Sequence, residues 1–229
     1  MKRIIAFIVL GLFSLNLPAQ KIFFPSKEGI KLVYETYDAK GKTTGIIHYT
    51  IKEVKYLGDD LDITYLFEML DAKKEQQYFD EVTVQKRGDV MIVDMGRFLN
   101  KAAFPKQEGA GAPSIEVTGN NMELPLAPVP GMTLPNANVN MAMKMGFINL
   151  KMSADMTNRK VEAIEEISVK GKSFNAFKIT CNINTVVLGV KVNSKCEEWY
   201  AYNLGVVKSI TYNKKGEVEG SMELIEVIE

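Results

Sequence analysis

The sequence of 229 residues carries 28 basic and 28 acidic side chains, one histidine and two cysteines. Because these charges balance, the composition gives no sign of the basic surface that binds nucleic acid or an anionic membrane. The single histidine and two cysteines are also too few for the usual zinc sites. The length is sufficient for one substantial domain.

The N-terminal residues have the pattern of a secretory signal peptide. Two basic residues precede an apolar run over 4–15, and Ala19 is suited to cleavage before Gln20. This run is too short to span a bilayer comfortably, although an N-terminal membrane anchor is the alternative. No cysteine stands at the cleavage point to carry a lipid. We predict a signal peptide over 1–19 and an exported mature chain, 20–229, that is periplasmic or secreted and has no membrane span.

The mature chain contains long strand-like runs that alternate apolar and polar residues and are separated by turn residues. The predicted strands cover residues 29–37, 43–56, 61–70, 77–86, 90–94, 138–156, 160–169, 173–184 and 190–200, and two more lie in the C-terminal stretch. The predicted turns fall at 38–42, 71–75, 87–89 and 170–172. A short helix is predicted over 95–104, where apolar residues recur at helical spacing.

Residues 105–135 are rich in proline and glycine. Proline lacks the amide donor of a sheet ladder, so this segment cannot form a central strand. Its leucines and valines nevertheless favour burial. We predict an ordered crossing over the rim of a single domain, 20–229, rather than a linker between two domains.

The number and length of the strands predict an all-β fold with one antiparallel, strongly curved sheet, as a half-barrel or open barrel. The stretch 196–229 is predicted to be the closing edge of that sheet, with Trp199 as a packing anchor. Residues 37–45 and 212–220 share a Tyr, a Lys and two Gly at the same positions. Their hairpin loops are therefore expected to be built alike.

The two cysteines are predicted to face each other across a hairpin. If a two-residue turn lies at Leu188-Gly189, then Cys181 is directly opposite Cys196, within the distance that a disulfide requires. A disulfide is typical of an exported chain with two cysteines. The alternative is that both thiols are buried and free.

Two C-terminal segments resemble the DUF3108-like and TapB families of exported envelope proteins, in which a long hairpin precedes a strand of the pattern WYAxxxGxVK. The hairpin resemblance rests on Val161, Glu162, Glu165, Val169, Gly171, Phe174, Phe177, Lys178 and Ile179, and the strand resemblance on Trp199, Tyr200, Ala201, Gly205, Val207 and Lys208. Lys170 departs from the Pro-Ala common in the family, which affects only a turn. The resemblance implies a curved antiparallel β-domain without established catalytic residues. The TapB name also implies a partner protein with tetratricopeptide repeats.

No motif in the sequence supports catalysis. His48 has no nucleophile motif of the G-x-S-x-G kind to accompany it, so a structural role in a strand is favoured. The acidic residues 59–62 lack the Gly and the distal Glu of a calcium loop, so they are interpreted as a solvated turn. A pair of carboxylates brought together by the fold, as in a glycosidase, is the remaining route to a hydrolase. We predict no catalytic residue, no metal and no cofactor.

The candidate binding residues lie on one strand and share one face of it: Val139, Met141, Met143, Met145 and Phe147. Methionine side chains adapt to irregular apolar partners, so this face is expected to be core or the wall of a pocket. A Cu(I) site is the alternative chemistry for an exported M-x-M-x-M segment, although no histidine accompanies it.

The function predicted from the sequence is that of a non-catalytic binding module of the cell envelope. A protein partner is the first expectation. A lipid-like or other hydrophobic ligand, held against the curved sheet, is the alternative.

Overall fold

The computed structural model describes residues 21–98, 114–145, 148–187 and 189–229. The predicted signal peptide, most of the predicted helix over 95–104, the start of the predicted crossing, Phe147 and Leu188 lie outside these residues. The strands are β1 (Lys31–Asp38), β2 (Thr43–Leu57), β3 (Asp60–Asp71), β4 (Gln76–Arg87), β5 (Val90–Val93), β6 (Ser114–Asn120), β7 (Met122–Pro125), β8 (Ala137–Met145), β9 (Ile148–Val169), β10 (Lys172–Val187), β11 (Val190–Ala201), β12 (Gly205–Asn213) and β13 (Val218–Ile228). A 3-10 helix covers Met95–Phe98.

All thirteen strands form one antiparallel sheet in the order β6-β8-β9-β10-β11-β12-β13-β1-β2-β3-β4-β5-β7. The two outermost strands, β6 and β7, are consecutive in the chain and are separated only by Asn121. The sheet must therefore curve until its edges meet, which makes a barrel that is nearly closed and has one seam between β6 and β7. The predicted fold class is confirmed.

Three local predictions differ from the structure. The predicted crossing contains a strand, β6, because the alternating residues from Ser114 to Asn120 pair with β8. The break predicted near 157–159 is absent: β9 runs through it over 22 residues, and the chain instead reverses between β8 and β9. The third difference concerns the C-terminal strand, which lies between β12 and β1 inside the sheet rather than at its edge.

The two hairpin loops with a shared sequence pattern have the same geometry. The amide of Asp38 donates to the carbonyl of Lys42 at 2.9 Å, and the amide of Asn213 donates to that of Glu217 at 2.8 Å. In each loop the Oδ1 atom of the first residue accepts two further amides. Gly41 adopts a φ of 75°, which glycine permits without strain. The prediction that the loops are alike is confirmed.

The interior of the barrel is filled in part by the segment before the first strand. Phe23 is fully buried, although it precedes the first strand. Its ring stacks on Tyr202 at 5.0 Å and makes edge contacts with Phe177 and Tyr200. Its carbonyl accepts the amide of Gly205 at 2.6 Å. The N-terminal segment therefore acts as a plug held by the β11–β12 turn.

A second group of buried residues surrounds Trp199, which is 7% exposed. The indole Nε1 donates to Glu165 Oε1 at 2.6 Å, and the Lys178 ammonium lies 5.1 Å from the ring centroid. A buried indole with a satisfied N–H is typical of a packing residue. The structure thus agrees with the interpretation of Trp199 as an anchor.

The predicted hairpin register of the cysteines is confirmed. Cys181 is paired with Cys196, and Val187 with Val190, as a turn at Leu188-Gly189 requires. The Cα atoms of the two cysteines are 5.2 Å apart and their sulfur atoms are joined. Both residues belong to the main core.

The seam is bridged by the crossing segment. After β7 the chain runs to β9 and pairs with it: the amide of Gly131 donates to Val161 O at 2.8 Å, and the amide of Leu134 donates to Arg159 O at 2.9 Å. Arg159 is 1% exposed. Its guanidinium donates to the carbonyls of Pro135 at 2.6 Å and of Glu123 at 3.0 Å. One buried cation therefore ties β9, the crossing and β7 together.

We predict that replacing Arg159 with methionine lowers the free energy of unfolding by about 2–4 kcal/mol, because two buried carbonyls lose their donors. Chemical denaturation followed by circular dichroism measures this. Lys160→Met is the matched control, since Lys160 is exposed and pairs only with Glu162 among the described residues; its effect should stay within about 0.5 kcal/mol. Equal stability of the two variants would contradict the role given to Arg159.

We predict that the double variant Cys181→Ala/Cys196→Ala loses about 3 kcal/mol of stability, because the bond closes a loop with a separation of 15 residues. Thr185→Ala/Val192→Ala removes a cross-strand pair from the same hairpin without breaking a covalent bond, and it should cost less than about 1 kcal/mol. Denaturant titration compares the two. A Cys-free protein as stable as the control would show that the disulfide contributes little.

Candidate functional site

A partly enclosed cavity of about 210 Å³ lies inside the sheet, between the two groups of buried residues. Its walls come from β1 to β4 on one side and from β11 to β13 on the other. The lining residues are Phe24, Leu32, Tyr34, Tyr49, Tyr65, Val82, Val84, Glu198, Leu204, Val206 and Met222. The lining is thus largely apolar and aromatic, which is typical of a site for a small molecule.

Four aromatic rings form a continuous row along one wall. The ring centroids of Phe24 and Tyr65 are 6.2 Å apart, those of Tyr65 and Tyr49 are 6.1 Å apart, and those of Tyr49 and Tyr34 are 5.7 Å apart. All three contacts are edge-to-face. This arrangement is favourable for aromatic pairs and holds each ring in one orientation.

Two of the tyrosine hydroxyls are engaged by backbone carbonyls. Tyr34 donates to Leu204 O at 3.3 Å, and Tyr65 donates to Pro25 O at 3.2 Å. These bonds satisfy the polar end of each side chain. The row of rings therefore presents apolar surface to the cavity, and both of these hydroxyls have hydrogen-bond partners.

Glu198 is the one charged side chain among the described residues that line the cavity. Its Oε2 atom accepts a hydrogen bond from the hydroxyl of Tyr200 at 2.7 Å. On the neighbouring strands it is paired with Ile179 and Ser209. An acidic group thus lies at one side of an otherwise apolar space.

Arg159 contributes a positive charge near this carboxylate. Burial lowers the pKa of the Arg159 guanidinium, while Tyr200, Glu198 and Glu123 oppose that shift. Its two terminal nitrogens are engaged by backbone carbonyls, and its buried Nε atom has no hydrogen-bond partner among the described residues. Glu198 is thus one of the anionic groups that influence the Arg159 guanidinium.

The methionine-bearing strand occupies a different part of the interior. Val139, Met141 and Met143 are 2%, 2% and 3% exposed. Val139 and Met141 pack in the main core, and neither they nor Met143 lines the cavity. The side chain of Met145 and all of Phe147 lie outside the described residues. In the part of the strand that the structure describes, these side chains fill the core.

The residues considered for catalysis or metal binding have local partners. His48 Nδ1 lies 2.7 Å from Glu68 Oε2, on the strand beside it. The interpretation of 59–62 as a solvated turn is wrong for Asp60 and Asp62, which lie in β3 and are partly buried. Asp60 accepts the amide of Gly88, and Asp62 lies 2.6 Å from the Arg87 guanidinium. Among residues 21–98, 114–145, 148–187 and 189–229, no three His, Cys, Asp or Glu side chains are grouped in a way that could hold a metal ion.

The cavity residues could be identified from the sequence only in part. Glu198 stands two residues after Cys196, so the predicted hairpin register already places its side chain on the inner face. The row of Tyr34, Tyr49 and Tyr65 depends on the register between three strands, which turn residues alone do not fix. Phe24 could not be predicted as a cavity residue, because it belongs to no strand.

No helix within the described residues is both long and apolar enough to cross a membrane.

The chain is similar in fold to two solved structures. A Bacteroides fragilis protein, provisionally described as exported and having a YmcC-like fold, is 20% identical with a TM-score of 0.74, over 91% of this chain and 100% of that one. A Parabacteroides distasonis protein, provisionally described as a lipoprotein, is 18% identical with a TM-score of 0.74, over 92% of this chain and 100% of that one.

None of the curated proteins matches this sequence. The model of the DUF3108-like family matches residues 27–224, which is most of the chain and includes the segments that carry the resemblance seen in the sequence. The curved antiparallel sheet agrees with what that resemblance implies. The chain belongs to the DUF3108-like family.

Proposed function

We propose that this protein is a non-catalytic, exported carrier of a small hydrophobic molecule, which it holds in the cavity between the aromatic row and Glu198. The observation that supports this proposal is the cavity itself, with eleven lining residues drawn from both halves of the sheet. Val139, Met141 and Met143, the described residues of the methionine-bearing face, are buried and do not line this cavity.

The lining supports a hydrophobic occupant. The space is partly open to solvent, and ten of its eleven described lining residues are apolar or aromatic, so water inside it finds few hydrogen-bond partners. A hydrophobic ligand that displaces this water buries its own apolar surface and that of the walls.

The volume limits the size of the occupant. An apolar cavity of about 150 Å³ holds benzene, so about 210 Å³ suits a molecule of about eight to ten non-hydrogen atoms. A short acyl chain or a substituted single ring has this size. A complete phospholipid does not fit, although part of one chain could enter.

The lining favours binding over chemistry. Glycoside hydrolysis requires two carboxyl groups on either side of the substrate, and the described lining residues supply one, Glu198. Nucleophilic catalysis requires a base beside the nucleophile. His48, the one histidine of the chain, pairs with Glu68 and does not line this cavity.

An exported location is part of the proposal. It is supported by the signal pattern at the N-terminus and by the exported-protein and lipoprotein descriptions of the two similar structures. A disulfide is also typical of proteins that fold outside the cytosol. Whether the protein stays in the periplasm or leaves the cell is a separate question that cell fractionation answers.

A protein partner is the second candidate. It is favoured by β6, which pairs only with β8 among the described strands and whose residues from Glu116 to Asn120 are exposed. An exposed strand edge can accept an extended segment of another protein as an additional strand. The tetratricopeptide-repeat partner implied by the TapB resemblance would be tested by co-purification from the native envelope.

We predict that straight-chain alcohols bind with an affinity that rises about fourfold for each added methylene, because each contributes about 0.8 kcal/mol when buried. The rise should stop near eight carbons, when the cavity is full. Titration calorimetry with the series from butanol to decanol measures this.

Val206→Phe should fill the cavity and abolish binding while the protein stays folded, because Val206 lines it. Val192→Phe is the matched control, since Val192 is 46% exposed on β11. Absence of binding to the unmodified protein, or unchanged binding by Val206→Phe, would contradict the proposed site.

A further inference from the structure

We propose that Glu198 selects the ligand by its polar group, so that the cavity takes a hydrophobic molecule ending in a hydrogen-bond donor, a hydroxyl or an ammonium group, and rejects fatty acids. This inference rests on the proposed function and specifies the chemical class of the ligand. It concerns the polar end of the ligand, which the volume of the cavity does not determine.

The first step is the chemistry of Glu198. An ionised carboxylate only accepts hydrogen bonds and has about four acceptor positions. The hydroxyl of Tyr200 uses one of them, on Oε2. The side chain lines the cavity, so a donor on a ligand can reach the remaining acceptor capacity.

The second step is the position of the compensating charge. Arg159 lies close enough for Glu198 to affect its pKa, yet the two terminal nitrogens of its guanidinium donate to the carbonyls of Pro135 and Glu123. Arg159 does not line the cavity, and it is therefore not placed to bind an anionic ligand there.

The third step is the effect of the surroundings. Charges interact more strongly in an apolar space than in water. A ligand carboxylate brought beside Glu198 would meet a like charge and would also lose its own hydration. The tyrosine rings also favour a cation or a polarised hydrogen over an anion, because the faces of the rings carry partial negative charge. The cavity as a whole therefore disfavours an anion.

Octanol, octylamine and octanoate test this inference, because at neutral pH they carry the same chain with a neutral, a cationic and an anionic end. Titration calorimetry should show octanol and octylamine binding at least about tenfold more tightly than octanoate. Equal affinities for octanol and octanoate would overturn the inference.

Glu198→Gln should reduce the preference for octanol over octanoate by about tenfold, because glutamine keeps the size and the acceptor for Tyr200 but removes the charge. Glu197→Gln is the matched control, since Glu197 pairs with Lys178 and does not line the cavity. An unchanged preference in Glu198→Gln would also overturn the inference.

Ethylbenzene separates this inference from the proposed function, because it has a similar size and no polar end. If ethylbenzene binds and the three octyl compounds bind with equal affinity, only the role given to Glu198 is wrong. If neither ethylbenzene nor any of the three octyl compounds binds, the proposed function itself is wrong.

Discussion

The closure of the sheet depends on the contacts that the crossing and one buried cation make at its seam. The edge strands β6 and β7 are one residue apart in the chain but are not hydrogen-bonded to each other. The guanidinium of Arg159 spans the gap from β9 to the carbonyls of Glu123 and Pro135. A fork of donors in fixed geometry suits this role, and lysine would offer a single point of contact. Together with the backbone hydrogen bonds of the crossing, this contact holds the two edges of the sheet near each other.

Bulges redirect side chains around the cavity. Register shifts occur at Val33/Tyr34 in β1 and at Trp199/Tyr200 in β11, beside the walls of the cavity. A bulge bends a strand and redirects the neighbouring side chain. The β10 strand, which does not line the cavity, also carries shifts, at Lys178/Ile179 and Thr180/Asn182. Bulges are therefore spread over the sheet, and the cavity walls include two of them.

The sequence was sufficient for the features that depend on local pattern. Alternation located most strands, shared turn residues identified the two like loops, and the spacing of Cys181 and Cys196 fixed a hairpin register. It was insufficient where distant segments meet. The pairing of the crossing with β9, the plug formed by Phe23 and the contacts of Arg159 join residues that are far apart in the chain. No local pattern encodes such pairings.

The candidate binding residues could also be predicted only in part. The methionine face was visible as a sequence pattern, and the described part of it is core. The aromatic row was invisible as a pattern, because Tyr34, Tyr49 and Tyr65 come from three strands. Its significance lies in their combination with a single inward carboxylate, Glu198. A carboxylate in that setting restricts what the cavity can hold more strongly than its apolar walls do.

Native mass spectrometry of the protein purified from its own envelope, without organic solvent, tests the central claim most directly. The account predicts a folded, disulfide-bonded chain with one small hydrophobic molecule bound, and loss of that molecule in Val206→Phe. A protein that is consistently bare under conditions gentle enough to preserve weak complexes would contradict the account.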